Sequence, residues 1–251
     1  MPNIELSHLD AGVARLTLNT GRGTPLTPDA VQELEAILSS LEKKPPKALL
    51  IDSADPKIFS GGFALPIIGG WERSELADFF AGFWRCVQTL LRFPCPTVCA
   101  VNGHAVAGGF ILSLATDLRV VGKGSIKLGL SETKLAVAVP AGTLELLAAR
   151  TSEQNALRLG MLAHLMGPEE AHRIGYADQL ADNVLDESLS LTHSLAQLPG
   201  SGVSITRQFR GIALAERVQK ADDDNLAAFL DSWFSPTAQQ AIQAMAKKLG
   251  G

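Results

Sequence analysis

Apolar and polar residues alternate along Val13-Ala-Arg-Leu-Thr-Leu18, the two-residue period of a strand with one buried face, and Ile4-Glu-Leu6 before it can pair with it as a hairpin. The period then changes. Thr27-Pro28-Asp29 offers a capping hydroxyl with proline at the first helical position, and Val31, Leu34, Ile37, Leu38 and Leu41 share one face of a helix that must stop before Pro45-Pro46. Lys47-Ala-Leu-Leu-Ile-Asp52 reads as a strand buried on both faces, as in a parallel sheet. A glycine turn, Ser60-Gly61-Gly62, and Gly69-Gly70 precede a long helix over about residues 74–92.

The same order comes round again. Thr97-Val-Cys-Ala-Val101 is a buried strand, Asn102-Gly103 a turn, and Ala107-Gly108-Gly109 opens a helix that reaches Leu114. Leu118-Arg-Val-Val121 is a third strand, followed by Ser125-Ile-Lys-Leu128 and a helix near 142–149. No sequence identity accompanies the recurrence, which makes it structural and not a tandem repeat. Beyond Thr151 the pattern is helical, at 152–160, 168–173, 187–198 and 203–217, with a last stretch around Pro236.

Composition narrows the function. A chain of 251 residues with 46% hydrophobic positions can bury a large core, which excludes disorder and fits one α/β domain or a domain with a small appendage. A net charge of −4 without a basic cluster argues against nucleic acid. Cys86, Cys95 and Cys99 are odd in number and lack metal-site spacing, so a reducing compartment is expected. Residues 93–116 carry no Asp, Glu, Lys or Arg, but Pro94, Pro96, Asn102, His104 and Gly108 interrupt them too often for a membrane helix. Met1-Pro2-Asn3-Ile4-Glu5 has no basic start leading into an apolar run, and a cytoplasmic protein is expected.

Two glycine turns are candidates for chemistry: Phe59-Ser-Gly-Gly-Phe63 and Val106-Ala-Gly-Gly-Phe110. Each lies between a strand and a helix, where backbone N–H groups are unpaired and a ligand can approach closely. Two such turns side by side would aim two donors at one oxygen, as an oxyanion hole does. For either turn alone, tight strand–helix packing is the commoner use. Neither continues as a phosphate-binding or dinucleotide fingerprint. Glu132, in Leu128-Gly-Leu-Ser-Glu-Thr-Lys-Leu135, is an acid in apolar surroundings, where lost hydration would raise its pKa toward that of a general base; the commoner alternatives are a surface acid or a partner to Lys134.

Four stretches in order resemble the crotonase (enoyl-CoA hydratase/isomerase) superfamily over nearly the whole chain. They are Ile58-Phe-Ser-Gly-Gly-Phe-Ala-Leu65; Ala100-Val-Asn-Gly-His-Ala-Val-Ala-Gly-Gly109 with Ala115-Thr-Asp-Leu-Arg-Val120; Gly129-Leu-Ser-Glu-Thr-Lys-Leu135 with Pro140; and Pro168-Glu-Glu-Ala-His-Arg-Ile-Gly-Tyr-Ala-Asp178. The resemblance implies an α/β fold, a spiral of ββα units over residues 1–195 with a helical C-terminal region, 196–251, for trimerisation and active-site cover. It also implies a CoA thioester substrate, no separate cofactor or metal, and a homotrimer or dimer of trimers, with no nucleic-acid or membrane partner.

Carried over by position, the N–H groups of Phe63 and Gly108 hold the thioester oxygen and Glu132 moves the proton. Arg22, Thr24, Ser60, Gly62, Ala64, Leu65, His104, Val106, Gly109, Ile111 and Pro140 line the substrate or its CoA. The family's hydratases use two glutamates, and the first of those positions is Ile111 here. Dienoyl-CoA isomerases need a further acid where this chain has Pro140. A lone carboxylate suits a Δ3,Δ2-enoyl-CoA isomerase, and the tail from Asn225 to Ile242 resembles those enzymes as well. The alternatives are a hydratase-like enzyme of another substrate, or a crotonase-fold protein that binds acyl-CoA without turnover. Ala64 departs from the Asp that many members carry, which is expected to loosen the first loop. His104 is expected to bond a neighbouring carbonyl, and Phe79, Phe80, Phe83 and Trp84 to be mostly core beside the acyl pocket. Trp233 and Phe234 are candidates to cover the site, and Asp222-Asp223-Asp224 reads as a solvated helix start.

Overall fold

The computed structural model describes residues 3–250; Met1 and Pro2 of the N-terminal pentapeptide, and Gly251, lie outside them. Strands β1 (Ile4–His8) and β2 (Val13–Leu18) form the expected antiparallel hairpin, Ile4 opposite Leu18. After the two-residue strand β3 (Pro25–Leu26) comes helix α1 (Pro28–Lys43), capped by the Thr27 side chain, which accepts the Ala30 N–H. Such a cap is worth about 1 kcal/mol. Val31, Leu34, Leu38 and Leu41 are buried along α1, and Ile37 is partly so. Next are β4 (Ala48–Ser53), β5 (Ile58–Ser60), β6 (Gly62–Phe63), the short helix α2 (Leu65–Ile68) and the long helix α3 (Arg73–Arg92). The later turns bring β7 (Thr97–Val101), β8 (His104–Val106) and α4 (Gly108–Leu114), then β9 (Leu118–Gly122), β10 (Leu128–Gly129) and α5 (Ala141–Arg150).

Each turn therefore contributes two strands and a helix, and the two strands go to different sheets. The first strands build a six-stranded sheet in the order β1-β2-β4-β7-β9-β11, parallel except for the β1–β2 hairpin, where β11 is Gln179–Ala181. The second strands of three turns build a small parallel sheet in the order β10-β8-β5, and β3 pairs with β6 beside it. Strands this short carry too few residues to show a two-residue period, and the pattern reading had only the Ser125–Leu128 stretch to suggest one.

Helices α6 (Glu153–Leu162) and α7 (Pro168–Arg173) lead to β11, and α8 (Val184–Ala196) packs on the outer face of the large sheet against Leu50, Val98, Ala100 and Val120. The inner face meets the main core. Two long elements close the chain: α9 (Gly202–Trp233) and α10 (Pro236–Leu249). The sequence pattern suggested a helix ending near 217, but α9 continues unbroken to 233. Asp222, Asp223 and Asp224 accordingly sit in the middle of a helix and not at its start. Asp222 follows the buried Val218 by one turn, and burial, helped by the neighbouring Asp223, pushes its carboxyl up to about 6. The three cysteines are buried thiols, which burial pushes far up from their ordinary pKa. No helix among the described residues is long and apolar enough to cross a membrane.

Candidate active site

The small sheet sets the site. β5, β8 and β10 run parallel, with Ala105 opposite both Ser60 and Leu128 and Val106 opposite Gly129. Their carboxyl ends therefore lie side by side, about 4.8 Å from strand to strand. Phe63 stands three residues beyond Ser60, Gly108 two beyond Val106 and Glu132 three beyond Gly129. Three segments far apart in sequence thus leave one edge of one sheet together, the place where parallel sheets commonly bind ligands.

The two glycine turns press on each other. A Cβ on Gly109 would lie 2.5 Å from both the Cβ and the carbonyl oxygen of Ser60, and one on Gly62, whose φ is +92°, would lie 2.9 Å from the Val106 oxygen and 3.2 Å from the Gly108 nitrogen. Glycine is required at both by close backbone approach. Gly108 meets the Phe63 ring, 2.8 Å from where its Cβ would be. That ring stands edge-on to Phe79, Phe80 and Phe83 of α3, with centroids 5.4, 5.1 and 4.9 Å away. The expected core role of these side chains holds: Phe79, Phe80, Phe83 and Trp84 are all buried.

Two backbone donors are left over. The β3–β6 register gives the Ala64 N–H to the Leu26 carbonyl at 3.2 Å, which turns the Phe63 N–H out of that ladder. Gly108 is the first residue of α4, whose N–H has no partner within the helix, and no side chain caps that end. Ala107 before it sits at φ +49°, ψ −124°, a conformation that favours glycine; the strain is held by its N–H on the Gly129 carbonyl at 3.0 Å and its carbonyl on the Ile111 N–H at 2.9 Å. Further back, α4 is anchored by Phe110 stacked on Tyr176 at 4.6 Å and by the Ser113 hydroxyl 2.6 Å from the Tyr176 hydroxyl.

Glu132 opens a 3-10 turn, Glu132–Leu135, and is half-buried. One of its carboxylate oxygens accepts the Ser131 N–H at 2.6 Å. Among the described residues no cation pairs with it, Lys134 included, and desolvation leads the causes of its shift. Burial outweighs the N–H groups of residues 132 and 131, which favour the charged form, and pushes the carboxyl up to about 7. The turn and the segment after it are tied to α6 and α9: the Thr133 hydroxyl donates to the Met161 carbonyl at 3.3 Å, and the Ala138 N–H donates to the Ser232 hydroxyl at 2.9 Å.

The remaining candidates divide. Ile111, in the first turn of α4, is 1% exposed and apolar, so no proton can be carried there. Pro140 is buried at the start of α5, and Val106 ends β8. Ser60 and Thr24 are buried with their hydroxyls occupied: Ser60 donates to the Thr24 carbonyl at 2.7 Å and accepts the Gly62 N–H at 3.2 Å, while the Thr24 hydroxyl lies 3.0 Å from that of Ser53. Their side chains shape the loop. Arg22 is exposed, near Asp55. Ala64 is the N-cap of α2 and offers no side chain to cap it, and Leu65 begins that helix half-buried. His104 departs from expectation, since its Nδ1 accepts the Lys127 N–H at 2.9 Å and does not bond a carbonyl. Trp233 packs against Phe80 and Phe229, at 5.8 and 6.3 Å.

Three contributors were not read from the sequence. Asp55 takes the Lys57 and Ile58 N–H groups on one oxygen and the Gly23 N–H on the other, which joins the Arg22 loop to the first glycine turn; these N–H groups hold its carboxyl below its ordinary pKa. Its sign was Ser53-Ala-Asp-Pro-Lys57, a run suited to an Asx turn. Ala107 and Ser232 carry no comparable local sign.

The family model described as enoyl-CoA hydratase/isomerase matches residues 8–245. The chain is 28% identical to human mitochondrial enoyl-CoA delta isomerase 1 over 250 residues, 95% of this chain and 80% of that one. It is also 28% identical to human mitochondrial methylglutaconyl-CoA hydratase over 190 residues, 74% of this chain and 55% of that one. The crystal structure of human mitochondrial delta3-delta2-enoyl-CoA isomerase superposes with a TM-score of 0.90 at 24% identity, covering 99% and 98% of the two chains, a likeness of fold.

Proposed function

Because this chain belongs to the enoyl-CoA hydratase/isomerase family, with its spiral of ββα units and helical C-terminal region, we propose that it shifts the double bond of a 3-enoyl-CoA to the 2-position. Glu132 takes a proton from C2 of the thioester, and the negative charge passes to the thioester oxygen. The N–H groups of Phe63 and Gly108 hold that enolate oxygen, a stabilisation that acts on the transition state more than on the neutral carbonyl. Glu132 then returns its proton to C4, the double bond settles between C2 and C3, and nothing is gained or lost overall.

The observation that carries this reading is Glu132 with its carboxyl near 7 and the buried, apolar Ile111 where a hydratase would place the first of its two glutamates. A base whose pKa lies near the working pH both accepts and returns a proton readily. The likeness to a hydratase keeps a hydratase of other substrate as the second reading, and a non-catalytic acyl-CoA binder as the third. CoA enters as part of the substrate, with Arg22 beside its phosphates and no separate cofactor. The assembly is a homotrimer or dimer of trimers built on the 196–251 region, where Ile205, Phe209 and Ile212 expose an apolar stripe on α9. The cytoplasmic placement expected from the sequence draws no support from the human and mouse isomerases, whose names place them in mitochondria.

A panel of 3-enoyl-, 2-enoyl- and ring-bearing CoA thioesters with product analysis tests the reaction. A 2-enoyl product from the 3-enoyl substrate supports it. A hydrated product from the 2-enoyl substrate, or binding of every thioester without turnover, replaces it with the second or third reading.

A further inference from the structure

Away from the site, the carboxyl ends of α3 and α5 and the first half of α9 enclose a pocket of about 220 Å3, whose wall includes Asp117, Arg150, Thr206, Arg207, Arg210 and Arg217. Four guanidinium groups face one carboxylate there. Their donors are unequally used. Arg207 is committed to the fold: its Nε bonds Asp117 at 2.5 Å, and its two terminal nitrogens reach the Phe93 and Leu90 carbonyls at the end of α3. The bonded oxygen of Asp117 also accepts the Thr97 N–H and hydroxyl at 2.8 and 2.9 Å, so it is saturated. Arg207 and Asp117 thus cancel.

The other three cations do not cancel. Arg150 gives its Nε to the Leu114 carbonyl at 3.0 Å, and among the described residues its terminal nitrogens bond nothing. Burial first, and then the cations Arg119 and Arg207, pull its pKa down to about 10 against the carboxylates of Asp117 and Asp178, neither of which bonds it directly. Arg210 forms no ion pair among the described residues, and Arg217 has only a 3.5 Å contact to the half-exposed Glu145. Helix carboxyl ends favour cations, which accounts for Arg207 and for the Nε of Arg150. It does not account for the free guanidinium edges converging on a cavity.

We propose that this pocket binds a small phosphate-type anion through Arg150, Arg210 and Arg217, with the Thr206 hydroxyl available as a further donor. Guanidinium forks match phosphate oxygens in pairs. The volume suits a phosphate or diphosphate group and is below the range of roughly 300–1,000 Å3 typical of pockets for larger ligands. The site is separate from the small-sheet edge and does not depend on the isomerase reading.

The test is calorimetric titration of the full chain with inorganic phosphate and inorganic diphosphate at low ionic strength. The wild-type protein should bind one diphosphate per chain, with phosphate competing for it. The exposed pair Arg210→Gln and Arg217→Gln, combined, should weaken diphosphate at least ten-fold, while Lys44→Gln, a surface cation elsewhere, should leave it unchanged. Circular dichroism on the double variant confirms that its fold is intact. Absence of saturable binding to the wild type overturns the proposal and leaves these arginines as helix-end partners. Equal binding by the double variant, or equal weakening by Lys44→Gln, also overturns it.

Discussion

The two halves of the candidate site are made from different materials. The half carrying Phe63 and Gly108 is backbone: two glycine turns locked face to face, where a single added carbon at Gly109 would meet Ser60 at 2.5 Å. The half carrying Glu132 is one side chain on a 3-10 turn, held by a few hydrogen bonds to α6 and α9. The backbone half is over-determined and tolerates almost no change. The acid half is adjustable, and its setting, a carboxyl near 7, comes from burial and not from a partner charge. A catalyst needs both properties: dipoles fixed before charge develops, and a proton carrier tuned to give back what it takes.

The largest break in this comparison is Glu132→Gln. The glutamine keeps the shape and loses the proton, so turnover of a 3-enoyl thioester should fall about 10³–10⁴-fold, around the upper reach of general acid–base catalysis. Affinity for a saturated acyl-CoA should stay within a few-fold by calorimetry. Retained turnover would sink the proposed role of Glu132.

Gly108→Ala strikes the other half. Its methyl group would press the Phe63 ring, which Phe79, Phe80 and Phe83 hold in place, so the strain passes into the backbone that presents the two amides. A loss of about 10²–10³ in kcat is expected, as for removal of one oxyanion donor, with thioester binding kept. Unchanged kcat would place the donors elsewhere.

The pH dependence sharpens the difference between the halves. Glu132 must be ionised to act as a base, so kcat/KM should climb as pH rises toward about 7 and level off above it. Stability runs the other way. The folded-state pKa lies above the ordinary 4.5, so the fold favours the protonated acid; that contribution is complete below about 4.5 and is lost as pH rises through about 7. Relative to the wild type, Glu132→Gln should therefore gain Tm at pH 8, and the gain should vanish near pH 4.5. Asp222, also shifted upward, is present in both proteins and drops out of the difference. An equal Tm at pH 8 would mean that the carboxylate is solvated.

What could be read from the chain follows the same division. The glycine turns were visible because close backbone approach demands a residue type, and Gly62, Gly108 and Gly109 announce it locally. Of the large-sheet strands, β1 and β2 were visible through alternation and β4, β7 and β9 through their apolar runs, while β11, with three residues, was not. The small sheet was not, because β5, β8 and β10 have three, three and two residues, too few to carry a pattern, and it is this sheet that brings the three segments together. Glu132 could be marked as unusual, but its burial depends on elements far along the chain, with α6 and α10 packed against its turn. The expected end of α9 near 217 failed because the acidic run looked like a boundary, whereas one of its three acids turns inward and the helix continues.

The smallest effect belongs to Ser232. Its hydroxyl accepts the Ala138 N–H at 2.9 Å and donates to the Phe229 carbonyl at 2.7 Å, which fastens the segment following Glu132 to α9 next to the buried Trp233. Ser232→Ala leaves one partly buried N–H without its acceptor, a cost of about 1–3 kcal/mol. If α9 serves only to hold the fold, the variant should lose Tm while its kcat and pH profile stay put. If α9 sets the acid half, kcat should fall about three- to ten-fold with KM little changed, as for a misplaced base, and the midpoint of the kcat/KM profile should move down from about 7 as the loosened turn lets water reach Glu132. Threonine, which keeps the hydroxyl, should restore both. A profile that does not move assigns the acid's tuning to its own turn and to α6, and leaves the end of α9 as packing.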